Sequence, residues 1–224
     1  MKAFLLAAGL GTRLRPLTFF VPKPLVLVGE ATIIDHAIRW LRAQGAEIYV
    51  VGFYLQELLR EYLREHHPDV VFIPSRKLLG TAGQLYYAKE YLGDEPVLVA
   101  PSDVITNLNV GQVLEFHKSS SYKLTIVGQI VETTVRFGVL EVEDNKLKEW
   151  KEKPKLVNIV STGIYVVEGA EVRRLEERYL DFNDFAVSLL PNVAVFLPNA
   201  VFYDVGTLDD LKVVSQSYLN KLGH

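Results

Sequence analysis

A glycine-rich segment with basic side chains follows the first apolar run of the chain. It reads Leu6-Ala7-Ala8-Gly9-Leu10-Gly11-Thr12-Arg13-Leu14-Arg15, and Lys23 follows between two prolines. Small residues let a ligand approach the backbone closely, and successive backbone N–H groups can bind phosphate oxygens. The arginine and lysine side chains add positive charge for the same oxygens. The pattern therefore predicts a phosphate-binding loop at the end of the first strand.

Two common phosphate loops do not fit this spacing. A P-loop requires G-x-x-x-x-G-K-[ST], whereas Gly9 and Gly11 are separated by one residue and no Gly-Lys pair follows. A dinucleotide-binding loop requires a third glycine where Leu14 stands, and an acidic residue after the second strand, where Val51-Gly52-Phe53 stands. Two turn glycines beside surface arginines are the purely structural alternative.

The whole motif, L-A-A-G-x-G-T-R-L-x-P-x-T followed by P-K-P, resembles the signature of sugar-1-phosphate nucleotidylyltransferases. The resemblance implies catalytic roles for Arg13, which would stabilise a pyrophosphate leaving group, and Lys23, which would meet charge on the α-phosphate. It also implies nucleotide-binding contacts, which fall on Leu6, Ala8, Gly9, Gly11, Thr12, Arg13 and Lys23.

A second glycine-containing segment, Leu79-Gly80-Thr81-Ala82-Gly83-Gln84, resembles the base-binding segment of the same family. The resemblance implies nucleotide contacts at Gly80, Thr81 and Gln84. The G-T-A-G form is most similar to the mannose-1-phosphate guanylyltransferase branch. A loop that caps the following helix is the structural alternative for this segment.

Two aspartates follow predicted strands, in Pro101-Ser102-Asp103 and in Tyr203-Asp204-Val205-Gly206-Thr207. The family resemblance implies that both are magnesium ligands and that Asp103 is catalytic, although Ser102 stands where the family usually has glycine. Two carboxylates with phosphate oxygens and water suit Mg²⁺. Asp204 taken alone could instead cap the last helix.

The sugar side of the site is implied by three further segments. Phe137-Gly138-Val139, Glu152-Lys153-Pro154 and Ser161-Thr162-Gly163-Ile164-Tyr165 resemble family motifs, with Ser161 in place of an asparagine. The resemblance implies substrate contacts at Gly138, Glu152, Lys153 and Thr162. In isolation, a hairpin end rich in lysine and glutamate is more often a solvated surface.

The implied reaction joins a nucleoside triphosphate to a sugar 1-phosphate and releases pyrophosphate, with Mg²⁺ as cofactor. Phosphate is mostly dianionic at neutral pH, so this nucleophile requires no general base. GTP with mannose 1-phosphate is favoured, and UTP or dTTP with glucose 1-phosphate stays open. The alternatives are a non-catalytic regulatory homologue that senses nucleotide sugars, a metal-dependent glycosyltransferase, for which Asp103-Val104-Ile105 lacks the second aspartate of D-x-D, and an NAD dehydrogenase.

The elements that must position these residues alternate between strands and helices in the first half of the chain. This alternation predicts a mostly parallel sheet covered on both faces. After Tyr122, close strand-like runs predict hairpins, so we expect a Rossmann-like, three-layer α/β/α fold with a mixed sheet and a β-rich lobe in the second half. The family resemblance implies that this lobe is sugar-binding. Strands are predicted at 3–8, 48–51, 70–73, 97–100, 124–131, 138–143, 146–150, 159–167, 193–197 and 201–203, and the later helices at 172–179, 184–190 and 207–222.

The composition agrees with one globular α/β domain. The chain has 224 residues, of which 49% are hydrophobic and 23% charged, and its net charge is −3. This balance gives no reason to expect nucleic acid or a membrane as partner. The absence of cysteine excludes disulfides and thiolate chemistry and suits the cytoplasm, which we expect as the location. We also expect residues 1–224 to form a single catalytic domain without a C-terminal β-helix domain, and a homo-oligomer stays open.

Overall fold

The computed structural model describes residues 1–119 and 121–222 of the chain, with side chains up to residue 215. The strands are β1 Lys2–Ala7, β2 Leu27–Val28, β3 Ala31–Thr32, β4 Glu47–Gly52, β5 Val71–Pro74, β6 Val97–Pro101, β7 Val104–Thr106, β8 Leu124–Thr134, β9 Val139–Glu143, β10 Lys146–Lys151, β11 Lys155–Val167, β12 Val193–Phe196 and β13 Phe202–Asp204. The helices are α1 Ile33–Ala43, α2 Gln56–His66, α3 Gly80–Gly83, α4 Val110–Lys118, α5 Gly169–Arg173, α6 Phe182–Ser188 and α7 Leu208–Leu222. Short 3₁₀ helices cover Thr12–Leu14, Leu17–Phe19, Lys23–Leu25 and Gln84–Tyr91.

Seven strands form a mixed, mostly parallel central sheet in the order β12-β8-β11-β6-β1-β4-β5. Strand β1 pairs in parallel with β4 and β6, and only β11 runs antiparallel to its neighbours. Leu6 of β1 lies opposite Pro101 of β6, so both strands end at the same edge. The loop after β1 and the segment after β6 are therefore neighbours.

Two hydrophobic cores, one on each face of the sheet, give the predicted three layers. Ala3 and Leu5 of β1 belong to one core, with side chains of α1, α2 and α4, whereas Phe4 belongs to the other, with side chains of α3, α5 and α6. Successive side chains of a strand point to opposite faces, so a buried strand with apolar residues at every position feeds both cores.

A β-rich lobe extends from the sheet in the second half of the chain, as predicted. Strands β8 and β11 stay paired from Leu124 opposite Val167 out to Thr134 opposite Lys155. The hairpin of β9 and β10 lies between them in sequence. Strand β11 begins at Lys155, four residues before its predicted start, because cross-strand pairing with β8 continues beyond the central sheet.

Two predicted helices have other bounds in the structure, and the strand after Asp103 is absent from the prediction. The helix expected over 172–179 is wrong beyond Arg173, where α5 ends; the following segment packs on α3, and the carbonyl of Leu180 accepts hydrogen bonds from the N–H groups of Ala82 and Gly83. The helix expected to start at Asp184 begins at Phe182, and the strand β7 directly after Asp103 is not among the predicted elements. Among the described helices, none has the length and apolar character required to cross a bilayer.

Candidate active site

The loop after β1 turns sharply at Gly11, whose backbone has a φ of 62°. A side chain at this position would bring its Cβ within 2.8 Å of Cγ2 of the buried Thr18, and the Thr18 hydroxyl donates to the Gly11 carbonyl at 2.7 Å. Glycine is therefore required both for the left-handed conformation and for the space. The 3₁₀ turn Thr12–Leu14 follows and carries Arg13.

Lys23 lies at the start of the 3₁₀ turn Lys23–Leu25, after Pro22 in an extended conformation. Its ammonium group forms an ion pair with Oδ2 of Asp103. This contact joins the phosphate-binding loop region to the end of β6, although the two residues are 80 positions apart.

Strands β7 and β13 bring the two predicted magnesium ligands together. Asp204 pairs with Val104, the residue next to Asp103, and the Val205 N–H donates to the Asp103 carbonyl at 3.3 Å. Burial by surrounding protein atoms and the nearby Asp103 carboxylate raise the pKa of Asp204, although its side chain still reaches solvent, and Lys23 and Arg13 oppose the shift. A Cβ at Gly206 would lie 2.9 Å from Arg13 Nη1 and 3.0 Å from Asp204 Oδ2, so the guanidinium group is beside this carboxylate.

The carboxylate pair fits a hard divalent cation. Asp103 and Asp204 supply only oxygen donors, the type that Mg²⁺ prefers together with substrate phosphates and water. Within the described residues, no group of three or more histidine, aspartate or glutamate side chains has the arrangement of a metal centre. A cation here would therefore complete its coordination with phosphate and water oxygens.

Two cavities lie at this edge of the sheet. The larger of them has a volume of about 460 Å³ and is lined by the predicted nucleotide-binding residues. Its walls come from the loop after β1, from α3, from Lys23 and Asp103, and from the segment before α6. The predicted residues that line it are Leu6, Ala8, Gly9, Gly11, Thr12, Arg13, Lys23, Gly80, Thr81, Gln84 and Asp103.

The predicted base-binding residues are held by contacts within the protein. Gln84 is only 2% exposed; its Oε1 accepts from the Leu79 N–H at 2.7 Å, and its Nε2 donates to Ser75 Oγ at 2.8 Å. Thr81 donates from its backbone N–H and its hydroxyl to Oδ1 of Asp181. Gln84 thus stabilises the loop that precedes α3, and Thr81 ties α3 to the segment before α6.

A second cavity of about 430 Å³ adjoins the first. Arg13, Pro101, Asp103 and Gly163 line both cavities, and Asp204 lines the second one. A bulge in β11, with Gly163 at a φ of 78°, separates the two parts of its pairing with β8. Thr162 also lines the second cavity, and its hydroxyl donates to the Val127 carbonyl at 2.8 Å.

The other predicted sugar-binding residues lie together in the β-rich lobe. A Cβ at Gly138 would lie 2.5 Å from Nε1 of Trp150, which donates to Glu152 Oε2 at 3.1 Å. Lys153 has a left-handed backbone, with a φ of 44°. Gly138, Glu152 and Lys153 line neither cavity, so their role as sugar contacts stays a prediction.

The structure adds lining residues that the sequence analysis did not select. Tyr179 and Asp181 line the larger cavity, and Gln129 lines the smaller one. Asp181 stands directly before an apolar helical run, a position typical of N-caps. That signal marks the start of α6 at Phe182 and places Asp181 in a loop. No local pattern indicates Gln129, because only the pairing of β8 with β11 brings it to the cavity.

Comparison with known proteins gives one family. Residues 2–221 match the family described as nucleotidyl transferase. The chain is 35% identical over 188 residues to a probable mannose-1-phosphate guanylyltransferase 1 of Oryza sativa subsp. japonica, covering 79% of the chain and 52% of the relative. It is 32% identical over 238 residues to the mannose-1-phosphate guanyltransferase of Saccharomyces cerevisiae, covering 99% of the chain and 66% of the relative. The chain spans about half the length of the first of these relatives.

Solved structures confirm the predicted fold. The crystal structure of HddC from Yersinia pseudotuberculosis, complexed with GMP-PN, has a TM-score of 0.78 at 23% identity, covering 97% of this chain and 99% of that chain. A putative glucose-1-phosphate thymidylyltransferase from Bacillus anthracis has a TM-score of 0.75 at 22% identity, covering 97% and 94%. At such low identity, these two structures support the fold alone.

Proposed function

The chain belongs to the nucleotidyl transferase family, and from this we propose that it transfers a nucleotidyl group from a nucleoside triphosphate to a sugar 1-phosphate and releases pyrophosphate. One observation carries the proposal: Asp103 and Arg13 line both of the adjoining cavities. Lys23, the ion-pair partner of Asp103, lines the larger cavity, and Asp204 lines the smaller one. A nucleotide in the larger cavity and a sugar phosphate in the smaller one would bring their phosphates to this charged cluster.

The nucleotide would lie along the loop after β1. Gly9 leaves room for phosphate oxygens near the backbone. Among the described residues, and apart from its two chain neighbours, no atom lies within 4 Å of the position that a Cβ at Gly9 would take. The base would extend towards Gly80 and Thr81, which also line the larger cavity.

The bond changes balance without a proton acceptor. An oxygen of the sugar phosphate attacks the α-phosphorus, the bond from that phosphorus to the bridging β-phosphate oxygen breaks, and pyrophosphate leaves. The attacking phosphate is already mostly dianionic at neutral pH. Catalysis therefore depends on positioning and on charge stabilisation.

The protein residues have separate electrostatic tasks in this scheme. Lys23 would stabilise charge on the α-phosphate, and Arg13 charge on the departing pyrophosphate. Asp103 and Asp204 would hold Mg²⁺, which when bound polarises the α-phosphate. Charged side chains gathered at the junction favour catalysis over a purely sensing role, since binding alone does not require this arrangement.

The favoured substrate pair is GTP with mannose 1-phosphate. It is supported by relatives named as mannose-1-phosphate guanylyltransferases that are about one-third identical to this chain. UTP or dTTP with glucose 1-phosphate is the second pair. A matrix assay of pyrophosphate release would cross five nucleoside triphosphates with mannose, glucose and N-acetylglucosamine 1-phosphates, with Mg²⁺ and with a chelator.

Variants connect this assay to the site. Asp103→Asn and Asp204→Asn should each lower turnover by roughly 10²- to 10³-fold, with circular dichroism unchanged. Asp209→Asn is the matched control, because this aspartate is 92% exposed on α7 and lines neither cavity. Turnover that is independent of Mg²⁺ and insensitive to both variants would refute the proposal.

A further inference from the structure

We propose that Asp181 selects the base of the nucleotide by accepting hydrogen bonds from the N–H edge of guanine. The inference rests on the proposed nucleotidyl transfer and deepens it, because it names one residue and one base. Neither the sequence motifs nor the comparisons assign a role to this aspartate.

Asp181 reaches the cavity because the segment between α5 and α6 packs on α3. The Leu180 N–H donates to the Leu79 carbonyl at 2.8 Å, and the Leu180 carbonyl accepts from two N–H groups of α3. A Cβ at Gly80 would lie 2.8 Å from Oδ1 of Asp181, so the carboxylate is directly beside this glycine. Asp181, Gly80 and Thr81 therefore form one wall of the larger cavity.

The Asp181 carboxylate is held in place by hydrogen bonds that use only part of its acceptor capacity. Its Oδ1 accepts from the Thr81 N–H at 2.9 Å and from the Thr81 hydroxyl at 3.1 Å, and its Oδ2 accepts from the Tyr179 hydroxyl at 2.8 Å. A carboxylate offers about four lone-pair sites. Among the described residues, one lone-pair site on Oδ2 therefore has no donor, and Tyr179, which is 66% exposed, can also turn away to solvent.

The carboxylate is negatively charged at neutral pH. The hydrogen bond from the Thr81 backbone is the main cause that lowers the pKa of Asp181, with further lowering by the hydroxyls of Tyr179 and Thr81. An ionised carboxylate only accepts hydrogen bonds, and those it accepts from a ligand N–H are charge-assisted.

Guanine is the base that matches such a group. It presents a ring N–H and an exocyclic amine side by side, two donors in one direction. Uracil and thymine present a single N–H between two carbonyl oxygens, and adenine and cytosine place a ring acceptor beside the amine. A carboxylate would face an acceptor in each of these other bases, and an unmatched polar contact in a binding site is a strong basis for discrimination.

The test compares Asp181→Asn with wild type using GTP, ITP and 2′-deoxy-GTP as substrates. ITP lacks the exocyclic amine, so the ratio of kcat/KM for GTP to that for ITP reports the proposed contact. We expect wild type to prefer GTP, and Asp181→Asn to reduce that ratio roughly 10- to 100-fold, the range for a hydrogen bond to a charged group. Asp184→Asn is the control with the same charge change on α6, and it should keep the wild-type ratio.

Two comparisons separate base selection from other roles. Thr81→Ala removes one hydrogen bond to Asp181 and should weaken all nucleotides together, as a structural defect would, without changing the ratio. Equal losses with GTP and ITP in Asp181→Asn would overturn the inference. So would a loss that disappears with 2′-deoxy-GTP, since that result assigns the contact to the ribose.

Failure of the two proposals can be distinguished. A wild-type preference for UTP or dTTP would overturn guanine selection while nucleotidyl transfer stands. If wild type released no pyrophosphate from any pair, nucleotidyl transfer would fail. Equilibrium binding of GTP and ITP to wild type and Asp181→Asn would then decide the role of Asp181 alone.

Discussion

Replacement of Lys23 by methionine should lower both the stability of the folded protein and its turnover, and only the loss of stability should be reduced by Mg²⁺. Lys23 is the ion-pair partner of Asp103, and their side chains are 12% and 21% exposed. Without the ammonium group, the Asp103 carboxylate would be left beside Asp204 with Arg13 as the remaining cation in the cluster. Two neighbouring carboxylates repel each other, so the folded state should lose stability.

The size of this effect follows from the partial burial of the pair. Breaking a fully buried ion pair costs about 3–5 kcal/mol, whereas exposed pairs contribute at most about 1 kcal/mol. An intermediate loss of about 2 kcal/mol is expected, because both side chains still reach solvent. For a chain of this length, that loss lowers Tm by roughly 4–8 °C.

The assay is thermal unfolding in chelator and in increasing Mg²⁺. Magnesium should raise the Tm of Lys23→Met more than that of wild type, because the competing ammonium group is absent from Asp103. Turnover should nevertheless stay roughly 10²- to 10³-fold low, since the charge next to the α-phosphate is missing. The double variant Lys23→Met/Asp103→Asn should recover stability in chelator, since it no longer contains the unpaired carboxylate.

Lys212→Met is the matched control, because Lys212 and Asp209 form an ion pair with side chains that are 73% and 92% exposed. It should change stability by less than about 1 kcal/mol. The reasoning is refuted if Lys23→Met is as stable as wild type in chelator. It is equally refuted if the double variant is no more stable than Lys23→Met.

Three further predictions concern the loop, the carboxylate pair and the lobe. Gly11→Ala should lower Tm more than Gly45→Ala, because both glycines have positive φ, but among the described residues only a Cβ at Gly11 would have an atom from outside its two chain neighbours within 4 Å; equal losses would show that backbone conformation alone matters. Magnesium affinity, measured by calorimetry, should fall with decreasing pH already above the ordinary aspartate value of 3.8, because the raised pKa of Asp204 keeps it protonated to higher pH; a flat profile down to that value would contradict this. Lys153→Met should raise KM for the sugar 1-phosphate roughly 10-fold or more and leave KM for the nucleotide unchanged in steady-state kinetics; two unchanged KM values would exclude Lys153 from the site.

Local patterns in the sequence predict much of the fold and of the nucleotide site. Strand β1, with consecutive apolar residues, is recognisable because a strand buried on both faces requires them. The loop that follows is recognisable from its glycines and basic side chains directly after the strand. The structure adds that Gly11 has a positive φ and lies against Thr18. The family resemblance from these motifs is confirmed over residues 2–221.

Contacts between segments that are distant in sequence cannot be predicted from such local patterns. The ion pair of Lys23 with Asp103 joins residues 80 positions apart, and the contact of Thr81 with Asp181 joins residues 100 positions apart. The helix predicted over 172–179 from its periodicity is wrong beyond Arg173 for the same reason. Backbone hydrogen bonds of Leu180 with α3 and with Leu79 hold this segment in an irregular conformation.

Residue types and their spacing thus predict the chemistry proposed for this protein: a backbone that can bind phosphate, cations for developing charge and two carboxylates for a metal ion. These properties are local, because they depend on side-chain chemistry and on single backbone conformations. The fold adds the arrangement. It places Asp204 beside Asp103 through the β7–β13 pairing, buries the Gln84 side chain against the loop before α3 and brings Asp181 to the larger cavity. These outcomes depend on how separate segments pack against one another, which no single stretch of sequence encodes.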